Sequence, residues 1–363
     1  MKIAIAAGGT GGHIYPALSL AEAFIDKDIN TKILFIGTAN HMEADVIPNA
    51  GYDFKTIKVS GLSGGALSRV LTVYRLYKAV NDATIILKEF KPDAVWGFGG
   101  YVSAPVVIAA HKLKIPALLH EQNAYAGRAN LFLEKHAQAV VVCYDEAYQQ
   151  FRKKPVFLLG NPQVYQVKKE QPKQILKEYH LNKKTPIILM VMGSQGSKTI
   201  NDTMIKILRK LNDKPYQIIY VTGKNHYESF INQAKGIDNI RILPFVKQTA
   251  LLNHVSLMIA RGGATTATEL CAFGVPSIII PSPFVPNNHQ EVNAQALMIK
   301  RAAYMIRENE LNEENLVEMI DKIIEDKDLR KAMSENAKSL SYVYAAEDMI
   351  ILTEKVVNHL ELK

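Results

Sequence analysis

Cysteine is almost absent: there are two, Cys143 and Cys271, both inside apolar runs and neither in a CxxC or histidine-rich arrangement. That excludes a disulfide framework, a zinc–cysteine site and dithiol redox chemistry, and the expectation is two buried thiols in a reducing, cytoplasmic compartment. No Asp-x-Asp pair stands at the carboxyl end of a strand-like run, so neither a metal nor an organic cofactor is expected. Long apolar runs are also missing, and none reaches the roughly 20 residues that a membrane-spanning helix needs. The opening MKIAIAAGG runs straight into a glycine turn, and no cleaved signal peptide is expected. Acidic residues are the minority, 35 against 43 lysines and arginines, for a net charge of +8. Such a balance favours an anionic partner, whether nucleotide, nucleic acid or anionic lipid. Without zinc-finger spacing, a recognition-helix arginine cluster or an aromatic RNA-binding signature, no nucleic-acid partner is expected.

What the chain does have is apolar material, 48% of 363 residues, enough for two cores of ordinary size. Short β-branched runs alternate with longer amphipathic segments: KIAIAA, KILFIG, DAVWGF, PALLHE and AVVVCY, then a break, then IILMVMG, QIIYVTG, IRILPF, SLMIAR and PSIIIP. This alternation predicts an α/β fold of two Rossmann-like, doubly wound domains in series, facing a central cleft. The break falls in the lysine-rich stretch from Val164 to Lys184, and the expected domains are residues 1–162 and 163–343. The helical segment 344–363 is expected to cross back to the first domain.

Glycine-bearing turns carry the polar chemistry. In Gly8-Gly9-Thr10-Gly11-Gly12-His13 the glycines let backbone N–H groups approach a ligand, and the helix start behind them suits an anion or the polar edge of a sugar. Pro16 suits the first turn of that helix. The dinucleotide fingerprint GxGxxG fails, because Ile14 stands where the third glycine would fall and the second strand ends in Gly37-Thr38 without an acidic residue. His13 fits two roles, a general base on an acceptor hydroxyl or a cap that hydrogen-bonds the turn. In Arg261-Gly262-Gly263-Ala264-Thr265-Thr266-Ala267-Thr268-Glu269, glycines and threonines at a helix start offer donors to a diphosphate. Glu269 either accepts from ribose hydroxyls or is a solvated helix residue. The proline-punctuated stretch from Pro281 to Ala294 clusters amides, Gln290 among them, suited to uncharged sugar hydroxyls. The runs holding Gly99, Gly100 and Tyr101, and His120, Glu121 and Asn123, follow strands of the first half and are expected on the acceptor side. For Glu121 a structural pairing is favoured over catalysis. From Leu62 to Lys88, the residues Leu67, Val70, Leu71, Val73, Tyr74, Leu76 and Tyr77 stand among Arg69, Arg75 and Lys78. That pattern describes an interfacial patch on anionic lipid or, more commonly, an amphipathic helix packed on a sheet.

Taken together, GGTGGHIYPALSLA, GFGGYVSAP, HEQNA, Gly160-Asn161-Pro162, Gly193-Ser194-Gln195-Gly196-Ser197, RGGATTATELCAFGVP and NNHQEVNA resemble, in order and over nearly the whole chain, the MurG family of N-acetylglucosaminyltransferases. The resemblance implies a GT-B architecture with the donor UDP-N-acetylglucosamine held mainly by the second domain. It implies inverting, metal-independent transfer to the muramyl C4 hydroxyl of undecaprenyl-diphosphate-linked lipid I, giving lipid II. Implied donor contacts are Thr10, Gly11, Gly12, Asn123, Ser194, Val246 through its backbone, Ala264, Thr265, Thr266, Glu269 and Gln290, and His13 matches the candidate base. An anionic membrane surface, at the cytoplasmic face of the cell membrane, and other cell-wall enzymes are the further partners it suggests. One departure stands out: the family often has an arginine soon after the GNP triplet, where this chain reads Gln163-Val164-Tyr165. That contact is not carried over. UDP-N-acetylglucosamine 2-epimerases share this architecture and donor but need no lipid acceptor, and a non-catalytic UDP-sugar sensor would need no base.

Overall fold

A computed structural model describes residues 1–59, 66–169, 174–193 and 198–362. They form two compact units, Met1–Gln166 with Tyr342–Lys363, and Val167–Ser341. The first holds seven strands: β1 (Lys2–Ala6), β2 (Lys32–Gly37), β3 (Asp53–Thr56), β4 (Ala94–Gly97), β5 (Ala117–Glu121), β6 (Ala139–Val142) and β7 (Val156–Leu158). Their order is β3-β2-β1-β4-β5-β6-β7, all parallel. The second holds β8 (Ile187–Val191), β9 (Gln217–Val221), β10 (Ile240–Leu243), β11 (Leu257–Ala260), β12 (Ser277–Ile279) and β13 (Ala303–Met305). They lie in the order β10-β9-β8-β11-β12-β13, again all parallel.

Parallel strands covered on both faces read as continuous apolar runs, and these do. In β1, Ile3 and Ile5 enter one core cluster while Ala4 and Ala6 enter the one on the opposite face, the period of two that a pleated strand imposes. In β8, Ile188 and Met190 part from Ile187 and Leu189 in the same way. Each strand order reverses direction once, between β1 and β4 in the first sheet and between β8 and β11 in the second. Doubly wound sheets bind ligands outside the carboxyl ends of the strands at such a reversal. The segments that follow these four strands are the glycine-rich ones already singled out, the one after β8 running into residues outside the described ones.

The C-terminal helix Ala345–Val357 packs on the Gly11–Lys27 helix of the first unit. Trp96 of β4, the single tryptophan, is fully buried and donates its indole N–H to Thr353 Oγ1 at 3.1 Å. Lys27 pairs with Glu354 at 2.6 Å along the same seam. Gly160 has φ +82°, and a Cβ there would overlap Tyr342, so only glycine lets the chain pass beside the returning segment.

The helix Ala66–Phe90 buries Ala79, Val80, Ala83 and Leu87 and leaves Tyr74 and Tyr77 exposed. Its described part is an amphipathic helix packed on the fold, chiefly against the Gly100–Lys112 helix. Among the patch residues, the side chains of Leu67, Arg69, Val70, Leu71 and Val73 lie outside the described ones. Among the described residues no helix is long and apolar enough to cross a membrane.

Candidate active site

In the first unit, Ala7-Gly8-Gly9-Thr10 leads from β1 into the Gly11–Lys27 helix, with Thr10 as an extended N-cap whose side chain caps nothing. The first-turn N–H groups, those of Gly11 and Gly12 among them, have no intrahelical acceptor, and the positive end of the helix dipole lies behind them. Pro16 stands beyond the first turn, because the helix begins as early as Gly11, and its missing N–H leaves the Gly12 carbonyl without its helical donor. The Tyr101 ring covers Gly9, whose φ is +86°. Burial raises the Tyr101 phenol above its ordinary range.

His13 Nδ1 lies 3.0 Å from the Gly8 carbonyl oxygen and 3.2 Å from Thr10 Oγ1. A carbonyl oxygen only accepts, so Nδ1 carries the proton and Nε2 is the basic nitrogen. The ring is walled by Gly99 and Gly100, where a Cβ would come within 3.2 Å of Nε2 and 3.4 Å of Cε1 respectively. Nδ1 thus holds the turn, the cap read from the sequence, and Nε2 is the nitrogen that the base reading would use.

A residue with no motif to mark it organises this turn. Glu43, fully buried, accepts from Gly9 N–H at 3.0 Å, from Thr38 N–H at 3.2 Å and from Thr38 Oγ1 at 2.5 Å. Burial alone would raise its carboxyl, but these hydrogen bonds outweigh it and hold the group below the ordinary carboxylate range.

Of the residues expected on the acceptor side, His120 is wholly buried, so its imidazole supports the site from beneath and does not line a surface. It meets Phe98 at a tilt, ring centroids 5.0 Å apart, and donates from Nε2 to the Gly160 carbonyl at 3.2 Å, and burial lowers its pKa to about 4. Glu121 accepts four N–H donors: Asn123 N at 3.0 Å and Nδ2 at 3.2 Å, Gly127 N at 2.8 Å and Asn130 Nδ2 at 2.9 Å. It pins the Asn123–Asn130 loop, the structural role favoured from sequence, and burial raises its carboxyl despite those donors. Gln163, at the departure from the family pattern, is buried with its side-chain oxygen accepting from Ser19 Oγ at 3.3 Å. Val164 is buried too, and Tyr165 donates its hydroxyl to Asp26 at 2.7 Å, so all three residues serve the packing of the first unit.

In the second unit, Arg261 follows β11 with its guanidinium buried, donating to the Ile280 carbonyl at 3.1 Å and pairing with Glu308 at 2.7 Å. It ties the turn to the end of β12. A Cβ on Gly262 would overlap the Gln290 carbonyl, and Asn293 Nδ2 donates to Gly262 O at 3.0 Å, so the turn and the His289–Ile299 helix lock together. Gly263 caps the Ala264–Phe273 helix without a side-chain cap, and no described residue beyond its chain neighbours lies within 4 Å of where its Cβ would be. Thr265 Oγ1 is buried with no partner among the described residues. Glu269 is buried and accepts from Gln248 Nε2 at 2.5 Å, which removes the solvated alternative. Gln290 Oε1 accepts from Ser282 N–H at 2.9 Å. Val246 packs its side chain into the core, leaving its main chain for any ligand. In the amide-rich loop Asn288 bonds Glu291 at 2.6 Å, itself paired with Arg307 at 2.8 Å, so part of that cluster is structural. Ser194 lies outside the described residues.

Two doubly wound parallel sheets in series, each reversing its strand order once, have the architecture of the GT-B class. Residues 3–142 match the Glycosyltransferase family 28 N-terminal domain and residues 187–349 its C-terminal domain. The chain is 41% identical, over 98% of its length and 99% of the relative's, to the UDP-N-acetylglucosamine--N-acetylmuramyl-(pentapeptide) pyrophosphoryl-undecaprenol N-acetylglucosamine transferase of Halalkalibacterium halodurans. It superposes on the crystal structure of Acinetobacter baumannii MurG with a TM-score of 0.77 and 28% identity, covering 98% of this chain and 99% of that one. The chain belongs to this MurG family of transferases. The UDP-GlcNAc 2-epimerase of Neisseria meningitidis also superposes, TM-score 0.70 over 98% of this chain and 100% of that one, but at 14% identity it shares the fold alone.

Proposed function

We propose that this chain moves N-acetylglucosamine from UDP-N-acetylglucosamine to the muramyl C4 hydroxyl of undecaprenyl-diphosphate-linked lipid I, giving lipid II and UDP. The observation that carries the reading is the likeness, over 98% of the chain, to a curated transferase of that name. The first unit supplies matching chemistry. As the acceptor oxygen attacks the anomeric carbon, His13 Nε2 takes the hydroxyl proton, the bond to the diphosphate oxygen breaks, and the electron pair leaves with UDP. A single displacement inverts the anomeric centre.

Negative charge developing on the leaving diphosphate is met by the uncapped Ala264 helix start and the Thr265 and Thr266 hydroxyls. Thr265 Oγ1, buried and without a partner among the described residues, supports that assignment. Glu269, oriented by Gln248, accepts from the ribose, and the Val246 main chain meets the nucleotide. Thr10, Gly11, Gly12, Asn123, Ser194 and Gln290 complete the donor contacts, with Gly99, Gly100 and Tyr101 facing the acceptor. His120 and Glu121 hold those loops without touching substrate. Peripheral attachment to the cytoplasmic face of the cell membrane belongs to the same proposal, supported by the exposed Tyr74 and Tyr77 beside Arg75 and Lys78 and by the +8 charge.

The test is incubation of the purified protein, in chelator, with radiolabelled UDP-N-acetylglucosamine and a lipid I analogue. Label in an extracted disaccharide lipid is the expected outcome and also establishes metal independence. Epimerised donor, or UDP released without lipid product, contradicts the proposal.

A further inference from the structure

Glu43 stands 34 residues from Gly9 and makes no ion pair among the described residues, yet its carboxylate ends a continuous line of hydrogen bonds that begins at His13. Oε2 accepts from Gly9 N–H at 3.0 Å. The Gly8–Gly9 peptide is trans, so its C=O and N–H leave from opposite edges of one plane. On the far edge the Gly8 carbonyl receives His13 Nδ1–H, also at 3.0 Å. Carboxylate, peptide and imidazole are thus joined through a single rigid amide. The carboxylate itself cannot swing away, because Thr38 holds Oε1 through both its N–H and its hydroxyl. A Cβ at Gly8 would meet Oε1 at 2.5 Å, so the line also requires glycine there.

We propose that Glu43 is a positioning residue for the transfer: through the Gly8–Gly9 peptide it polarises the carbonyl that holds His13, fixes the Nδ1–H tautomer and makes Nε2 a stronger base. The proposal rests on the reading of His13 as the base. Hydrogen bonds in series polarise one another, and a full charge at one end strengthens the acceptor at the other. A buried carboxylate that orients a catalytic imidazole is a known arrangement by direct contact; here one amide intervenes. No proton travels along the line. Nδ1 keeps its own, and the proton of the acceptor hydroxyl goes to Nε2.

The other titratable groups around His13 leave Glu43 as the charge in line with it. Tyr101, on the Gly100–Lys112 helix, is raised by burial, and Cys143, after β6, is raised well above its ordinary value by burial. His120, on β5, stays neutral down to about 4, again because it is buried. Glu121, at the end of β5, lies under its own four donors, and His41, before the Glu43–Asn49 helix, meets Tyr101 edge-on at 5.9 Å.

The experiment is ¹⁵N-histidine NMR of the full chain, with the His13 resonances assigned by their loss in His13→Gln, alongside steady-state kinetics. Glu43→Gln keeps the shape and removes the charge. Its His13 midpoint is expected to fall by about half a pH unit or more, a roughly threefold change in ionisation, with kcat down about tenfold and donor KM changed less than about threefold. An unchanged midpoint in Glu43→Gln overturns the relay even if activity drops, since a merely structural role lowers stability and raises KM without moving the titration. Should that variant not fold, the wild-type spectrum still tests the line: a neutral His13 protonated on Nε2 overturns the proposal. Loss of the midpoint shift tells against Glu43, whereas turnover that survives His13→Ala tells against the base on which the proposal rests.

Discussion

Among the described residues His120 has no acceptor for a second proton: Nε2–H is bonded to the Gly160 carbonyl, and Nδ1 is buried without a partner. Its folded pKa of about 4 lies below the ordinary value of 6.5, so between the two the unfolded chain binds the extra proton. Stability from this site is complete above about pH 6.5 and is lost as pH falls toward about 4, by up to about 3 kcal/mol. Urea unfolding across that window reads the loss, and His120→Gln is expected to flatten it. A slope unchanged by the substitution would show that the histidine is not the source. The glycine turn and His13 are legible in the sequence because their geometry depends on neighbours in the chain. Glu43 and Gln248 are not, since the site residues they hold, Gly9 and Glu269, are 34 and 21 residues away and neither belongs to a recognisable run. His120 is half legible: its run marks the end of a strand, but alternation along that strand, not the motif, decides that its ring points inward.

Ten of the strands announce themselves as β-branched runs, and β3, β7 and β13 do not. These three are four, three and three residues long, and each closes one edge of a sheet. An edge strand is covered less completely and needs no continuous apolar run, so Asp53-Phe54-Lys55-Thr56 carries little signal. The Ala66–Phe90 helix has a packed face and an exposed one, and sequence alone left both readings standing. Its exposed Tyr74 and Tyr77 contribute nothing to the core, so Tyr74→Glu with Tyr77→Glu is expected to leave folding and turnover on a water-soluble acceptor unchanged. Binding to vesicles rich in anionic phospholipid should fall at least about fivefold, roughly 1 kcal/mol, with the loss read by co-sedimentation. Undiminished vesicle binding would move the membrane contact elsewhere on the molecule.

For the whole molecule, two sheets of one topology divide the chemistry. One reversal point carries a histidine whose Nδ1 is held by a carbonyl, the proposed base, and the other an uncapped helix start with a buried threonine hydroxyl beside it. The doubly wound fold is readable because alternating strands and helices leave few alternatives, and family membership agrees with it over nearly the full length. Which residues touch donor and acceptor depends on how side chains converge at those reversal points. The measurement that bears most directly on the account is kcat together with the UDP-N-acetylglucosamine dissociation constant for His13→Ala. Loss of the base predicts a kcat lower by about 10²- to 10⁴-fold, with donor affinity held within about threefold. Collapsed donor binding with residual turnover near wild type would contradict it, and His13 would then be a donor contact and not the base.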